Sequence, residues 1–245
     1  MTKQNNTLAY YEKNAKAYAD RDFLGTFGEY RDLFVTTVKV EFQKTVSSKK
    51  TVLPKPKALL KANDTHKPRV LELGSGSGRD AQAFMSCGFD VTLVDGAEQL
   101  AQIAKQRTGQ DVLVIDFEDL AFETEFDGVW AAASLLHVPS LKLPDVLKSV
   151  ERSLRNTGVL VASFKESDHD WVDDLGRYFC AMTENHLAEL IVNSGFELLT
   201  IEKRDGQGSD GKPTVWLWIV AQKKRCLVKN ADDKEVGKLV LSTFG

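Results

Sequence analysis

Residues 70–80 read Val-Leu-Glu-Leu-Gly-Ser-Gly-Ser-Gly-Arg-Asp, an apolar run that ends in three glycines at alternating positions. The run predicts a buried β-strand over Val70–Leu73, and the pattern that follows predicts a helix over Asp80–Cys87. Glycines at a strand-to-helix turn permit backbone angles that a Cβ forbids. They also let a ligand lie directly against the main chain. Such a loop, at the carboxyl edge of a sheet, suits a nucleotide-like molecule. Its spacing narrows the choice. Dinucleotide folds use G-x-G-x-x-G; here the spacing is G-x-G-x-G, and Arg79 fills the third-glycine position. An ATP-binding P-loop ends in Gly-Lys-Ser/Thr, and no such ending follows.

Outward from this loop, the chain alternates strand and helix patterns. Strands are expected at Val91–Val94, Val112–Ile115, Gly128–Ala132, Val159–Phe164, Phe196–Lys203 and Thr214–Gln222, with helices at Ala97–Thr108, Pro144–Leu154 and Glu184–Ser194. Pro144 suits a first helical turn, and Gly158 and Gly195 suit chain reversals after helices. Five strands separated by helices imply a parallel sheet with right-handed crossovers. The last two strands are joined by the polar stretch Arg204–Pro213 and read as an antiparallel hairpin. Before the loop, Thr7–Ala19 is an amphipathic helical pattern, and a second runs from about Glu29 to Lys44. Residues 39–69 carry eight lysines and one arginine against Glu41 and Asp64, with three prolines. They read as a loop-rich basic insertion with a short helix near Ala58–Lys61. The expected organisation is an N-terminal helical cap with this insertion over 1–68, a nucleotide-binding domain over 69–224, and a tail over 225–245.

The 245 residues suffice for one packed domain with appendages. The chain is 42% hydrophobic and 27% charged, ordinary for a soluble globular protein. A net charge of −3 does not point to nucleic acid. The first residues carry no apolar signal core, and no apolar run nears the roughly 20 residues of a membrane span. Cys87, Cys180 and Cys226 are scattered, which suggests reduced thiols in a cytoplasmic protein, and their spacing offers no metal site.

Asp95 ends the second strand pattern. A carboxylate there can accept hydrogen bonds from both ribose hydroxyls of a nucleoside, or cap the helix that begins just after. Dinucleotide folds place an acid in the same way. Asp116 ends the third strand pattern and Phe117 follows it. The fourth runs Phe126-Asp-Gly-Val-Trp-Ala-Ala-Ala-Ser134-Leu-Leu-His137.

Together with Glu72-Leu-Gly74-Ser-Gly76-Ser-Gly78, these stations resemble the class I S-adenosylmethionine (SAM) dependent methyltransferases. Within that class the chain is similar to the bacterial type 11/12 and tellurite-resistance-like groups. The resemblance covers about residues 7–23 and 69–222. It implies a Rossmann-like seven-stranded sheet, mostly parallel with the last strand antiparallel, helices on both faces and an N-terminal helical cap. It implies SAM as methyl donor and S-adenosylhomocysteine as product. Cofactor contacts would come from Glu72, Gly74, Ser75, Gly76, Gly78, Asp95, Gly96, Asp116, Phe117 and Ala133. Asp116 matches the acid that meets the adenine amine, and Phe117 the side chain packed on the ring.

Methyl transfer from a sulfonium is an in-line displacement, so alignment dominates, and a base is needed only for a weak nucleophile. His137, at the mouth of the fourth strand, is the candidate base. Lys165 and Arg177 are candidates to bind an anionic acceptor, and Tyr11 and Tyr18 to cover it. The expected acceptor is a small molecule, taken by a monomer or homodimer. Nucleic-acid or protein methylation through the basic segment is a second reading. Against it, the Asp/Asn-Pro-Pro-Tyr/Phe element used on base amines is absent after the fourth strand. A third reading is a non-catalytic SAM-binding module.

Overall fold

The computed structural model of the protein describes residues 3–21, 27–49 and 67–225. Two helices come first, α1 (Lys3–Ala19) and α2 (Gly28–Lys49). Strands and helices then alternate: β1 (Arg69–Leu73), α3 (Arg79–Ser86), β2 (Asp90–Asp95), α4 (Glu98–Thr108), β3 (Val112–Val114), β4 (Phe126–Ala131), α5 (Leu143–Ser153) and β5 (Leu154–Lys165). A small antiparallel pair, β6 (Trp171–Val172) and β7 (Tyr178–Phe179), precedes α6 (Glu184–Asn193) and the hairpin of β8 (Phe196–Gln207) and β9 (Pro213–Lys223). Single 3₁₀ turns at Phe117–Asp119 and Leu135–His137 follow β3 and β4.

Among the described residues, seven strands form one sheet in the order β3-β2-β1-β4-β5-β9-β8. β1 to β5 are mutually parallel, and β9 runs antiparallel to both of its neighbours. The expected architecture is present, with one refinement: the reversed strand lies inside the sheet, and β8 takes the edge. Burial explains the order. Trp216–Ala221 of β9 are continuously buried, as a strand covered on both faces must be. β8 exposes Glu197, Lys203, Arg204 and Asp205, and charge on an edge discourages pairing with other chains.

From β1 the chain steps outward through β2 to β3, then returns to β4 and steps the other way to β5. Right-handed crossovers therefore put α3 and α4 on one face and α5 on the other. α2 shares the α3 face, where the Phe34 ring lies 5.1 Å from Phe84 and 5.5 Å from Trp130. The direction of winding reverses between β1 and β4, so a crevice opens at their carboxyl ends.

Several boundaries differ from the sequence reading. α2 runs through Lys49, so residues 39–49 are helix rather than loop. Residues 50–66, with the expected helix at 58–61, and the tail over 226–245 lie outside the described residues. Gly195 (φ 98°) reverses the chain after α6, but Gly158 does not reverse it after α5. β5 starts directly at Leu154, Thr157 takes the left-handed conformation (φ 64°), and the register against β4 shifts there. The final hairpin is longer than the apolar pattern suggests. Its ladder continues through Arg204↔Trp216 to Gln207↔Pro213.

The close approach of α2 to the sheet rests on Gly128 of β4. A Cβ there would meet Val38 Cγ2 at 2.6 Å and Phe34 Cζ at 2.8 Å. Gly128→Ala should lower stability by about 1–3 kcal/mol through overpacking, read as a lower urea midpoint with an unchanged m-value.

Candidate active site

The glycine loop is tied to the end of β2. Gly74 N and Ser75 N donate to Val94 O at 2.8 and 3.0 Å, which extends the β1–β2 pairing into the turn. Gly76 N then donates to Asp95 Oδ2 at 2.7 Å, while Ala97 N donates to Oδ1 at 2.9 Å. Asp95 thus holds the loop and caps the entry to α4 at once. Burial pushes its carboxyl up to about 6, against the opposing effect of the two backbone donors. Gly74 (φ 74°) lies so close to β4's end that a Cβ would sit 2.5 Å from Ser134 Cβ.

Three adjoining cavities open above this loop and share Tyr18 and Ala133. The first lies over the ends of β1 and β2 and reaches Asp116 and Phe117 after β3. α1 roofs it: Leu8 faces Gly96, where a Cβ would be 2.7 Å from Leu8 Cδ2, and Tyr18 faces Gly76. α1 is anchored on α4, with Glu12 Oε2 accepting from Gln99 N at 3.2 Å.

The second cavity lies toward α2 and α3 and is polar, with Arg31, Glu72, Ser75, Arg79 and Asp80 around it. Arg31 pairs with Asp80 at 2.9 Å, and Trp130 Nε1 donates to the same carboxylate at 3.0 Å. Glu72 is buried, and its Oε2 has no hydrogen-bond partner among the described residues; the same holds for the buried Ser75 Oγ and Ser134 Oγ. Burial above all, then the charges of Asp80 and Asp95, push the Glu72 carboxyl well above the usual carboxylate range.

The third cavity lies beyond His137, against β7 and the β8–β9 hairpin. His137 Nδ1 lies 2.6 Å from Tyr178 O, and Nε2 lies 2.9 Å from Tyr11 Oη. A carbonyl only accepts, so the proton sits on Nδ1 and the Nε2 lone pair accepts the Tyr11 hydroxyl. Burial pushes the ring down to about 4, and the nearby positive charges of Arg177 and Lys165 reinforce the shift. Arg177 is 1% exposed. Its Nε donates to Asp173 Oδ2 at 2.8 Å, Nη1 donates to Ser209 Oγ, and Asp210 lies 3.7 Å from Nη2. Lys165 is partly buried, with Nζ 4.2 Å from the centre of the Phe179 ring and 5.8 Å from that of Trp216.

Of the residues picked out in the sequence, Gly74, Gly76, Asp95, Gly96, Asp116, Phe117, Ala133, Tyr11, Tyr18 and His137 border the first cavity. Glu72 and Ser75 border the second, and Lys165 and Arg177 the third. Gly78 borders none of the three. It is left-handed (φ 75°), and a Cβ would meet Thr108 at 3.0 Å and Ala104 at 3.1 Å, so it serves the packing of α3 on α4. Arg177, a candidate to bind an anionic acceptor, is buried and already ion-paired with Asp173. Sequence reasoning missed Leu8, Arg31, Phe179 and Trp216. Leu8 carried a signal, since it shares the apolar face of Tyr11 and Tyr18 in α1.

Residues 71–162 match a methyltransferase domain family. The chain is 25% identical over 173 residues to a methyltransferase of Staphylococcus carnosus, covering 70% of this chain and 74% of that one. It is 31% identical over 102 residues to a ubiquinone biosynthesis O-methyltransferase of Idiomarina loihiensis, covering 39% of this chain and 41% of that one. Among solved structures, the fold is similar to a SAM-dependent methyltransferase of Methanosarcina mazei (TM-score 0.59, 20% identity, 64% and 93% of the two chains). It is also similar to the 1,6-didemethyltoxoflavin-N1-methyltransferase of Burkholderia thailandensis, solved with S-adenosylhomocysteine (0.55, 24%, 84% and 93%), and to TehB of Haemophilus influenzae (0.53, 18%, 74% and 62%). The glycine loop tied to Asp95 at the winding switch lies inside the matched segment, so residues 71–162 form a methyltransferase domain of the class I type, a family whose methyl donor is S-adenosylmethionine.

Proposed function

We propose that the protein methylates a small molecule, bound in the cavity between His137 and the β8–β9 hairpin. The observation that carries this reading is enclosure. The third cavity is walled by the aromatic rings of Tyr11, Tyr18, Phe179 and Trp216, and α1 closes over its junction with the cofactor side. A small planar molecule fits such a space, whereas a polynucleotide needs an open track of cations along a surface.

The residues present fit SAM. Asp95 keeps free lone pairs for ribose hydroxyls after accepting from Gly76 and Ala97. Asp116 and Phe117 stand at the far end of the same cavity, for the adenine amine and ring. The partnerless Glu72 Oε2 and Ser75 Oγ face the second cavity, where an amino-acid tail with a positive ammonium would restore the interactions that burial removed. When bound, SAM supplies a methyl carbon already activated by its sulfonium. The protein's own task is then to align the acceptor and exclude water. His137 is the candidate to receive an acceptor proton. Its Nε2 lone pair accepts the hydroxyl of Tyr11, and that hydroxyl, on a residue lining the cavity, stands where an acceptor hydroxyl would bind.

Isothermal titration tests the donor. S-adenosylhomocysteine should bind, NAD should not, and Asp95→Ala should weaken binding by roughly tenfold or more, since the lost hydrogen bonds are to a charged group. Binding of NAD, or none of S-adenosylhomocysteine, would overturn the reading. The state of His137 is tested by NMR. A depressed folded-state pKa contributes stability that is full above the ordinary value of 6.5 and is lost as pH falls toward about 4. The ring signal absent from His137→Gln should therefore stay at its neutral position from pH 8 to pH 5 and move only below. A midpoint near 6.5 would show a solvated ring with no part in the cavity.

A further inference from the structure

The charges around the acceptor cavity are not balanced. Its lining holds Arg79, Lys165 and Arg177, and no Asp or Glu. Arg177 is offset from behind, by Asp173 at 2.6 Å and Asp210 at 3.7 Å. Arg79 is engaged with the main chain, donating from Nη1 to Arg21 O at 3.1 Å. Lys165 differs: among the described residues its ammonium forms no ion pair and no hydrogen bond. It is held by the faces of Phe179 and Trp216 instead. A partly buried ammonium without a carboxylate partner is costly unless something else satisfies it. Burial draws its pKa down and Arg177 adds to the effect, while Asp210 and Asp173, neither of them hydrogen-bonded to it, oppose the shift without cancelling it.

The position of Lys165 relative to His137 sets a length. The same Phe179 ring carries Lys165 Nζ at 4.2 Å and the His137 ring at 4.8 Å from its centre. Both polar groups therefore lie against the same aromatic ring, and these two distances together cap the separation of the ammonium from the imidazole centre. Flat walls, with a cation and a hydrogen-bond acceptor inside that short span, describe a ligand of no more than one ring.

We propose that the acceptor is a monocyclic aromatic acid, its carboxylate paired with Lys165 and its nucleophilic hydroxyl or amine turned toward His137 Nε2. This deepens the methyltransferase reading and rests on it. The arrangement also links binding to basicity. The groups that face His137 are Tyr11 from α1, the Tyr178 carbonyl from β7, the cations Lys165 and Arg177, and Asp173 behind Arg177. A carboxylate on Lys165 cancels part of the positive field that depresses the ring, so an acid raises the affinity of His137 for a proton and a neutral analogue does not.

The test uses the protein saturated with S-adenosylhomocysteine, whose own binding is measured first. The probes are the three hydroxybenzoate isomers and their three amides, titrated calorimetrically. At least one acid should bind roughly tenfold or more tightly than its amide, as expected for a charge-assisted contact. Lys165→Met, which keeps the stem over Phe179, should abolish that preference while binding S-adenosylhomocysteine as before. In NMR the His137 midpoint should move upward with the acid and not with the amide. Equal binding of acids and amides, no binding by any isomer, or an unchanged preference in Lys165→Met would each overturn the proposal and leave the methyltransferase reading standing. Failure to bind S-adenosylhomocysteine at all would remove both.

Discussion

The carboxylate of Asp95 is the constraint on which the rest of the site depends. It accepts from Gly76 N and from Ala97 N, so one side chain fixes the turn after β1 and the start of α4. The ladder between β1 and β2 runs into the same turn through Val94 O. With the loop thus held, Gly74 can lie against Ser134 at the end of β4, and the cavity floor is continuous across the switch between β1 and β4. The tie has a cost, since the carboxyl is almost wholly buried and its pKa rises accordingly. Two backbone donors offset part of that cost. α1 then closes on a floor already formed, with Leu8 over Gly96 and Tyr18 over Gly76.

What was legible in the sequence follows from this geometry. The central strands are buried on both faces, so Val70–Leu73 and Val159–Phe164 read as apolar runs interrupted only by Glu72 and Ser163, and both lie within the strands the structure shows. The glycine loop and the acids at the ends of β2 and β3 were legible because their chemistry is local to one turn each. Strand order was not legible. A hairpin pattern looks the same whichever of its strands takes the edge, and only the contrast between the apolar β9 and the charged β8 carries that information. The helical run through Lys49 was hidden by its composition, since β-branched and serine residues at 45–48 read as a break, while helix formation there is settled by context. The burial of Arg177 was invisible for another reason. Its partner Asp173 is close in sequence, but Ser209 and Asp210 arrive from the β8–β9 turn, about thirty residues away, and no local pattern predicts that meeting.

The polar groups divide the crevice into two electrostatic halves. Glu72, Asp95 and Asp116 lie on the side where the glycine loop points. Lys165 and Arg177 lie on the other; Arg79 borders both, Arg31 on the first side is paired with Asp80, and Tyr11, Tyr18 and His137 stand between. On the proposed reading, a positively charged donor is drawn to the first half and an acid to the second. Each reactant is then oriented by its charge before any contact at the reacting atoms is made. Because both halves are enclosed by α1 and by aromatic walls, the charges act through protein rather than water, where their interaction is stronger. On the proposed reading, the polarity of the crevice does much of the aligning that an in-line displacement demands. His137 then needs no ionised state at rest: its lone pair, held toward the boundary by Tyr178, meets whichever hydroxyl displaces that of Tyr11.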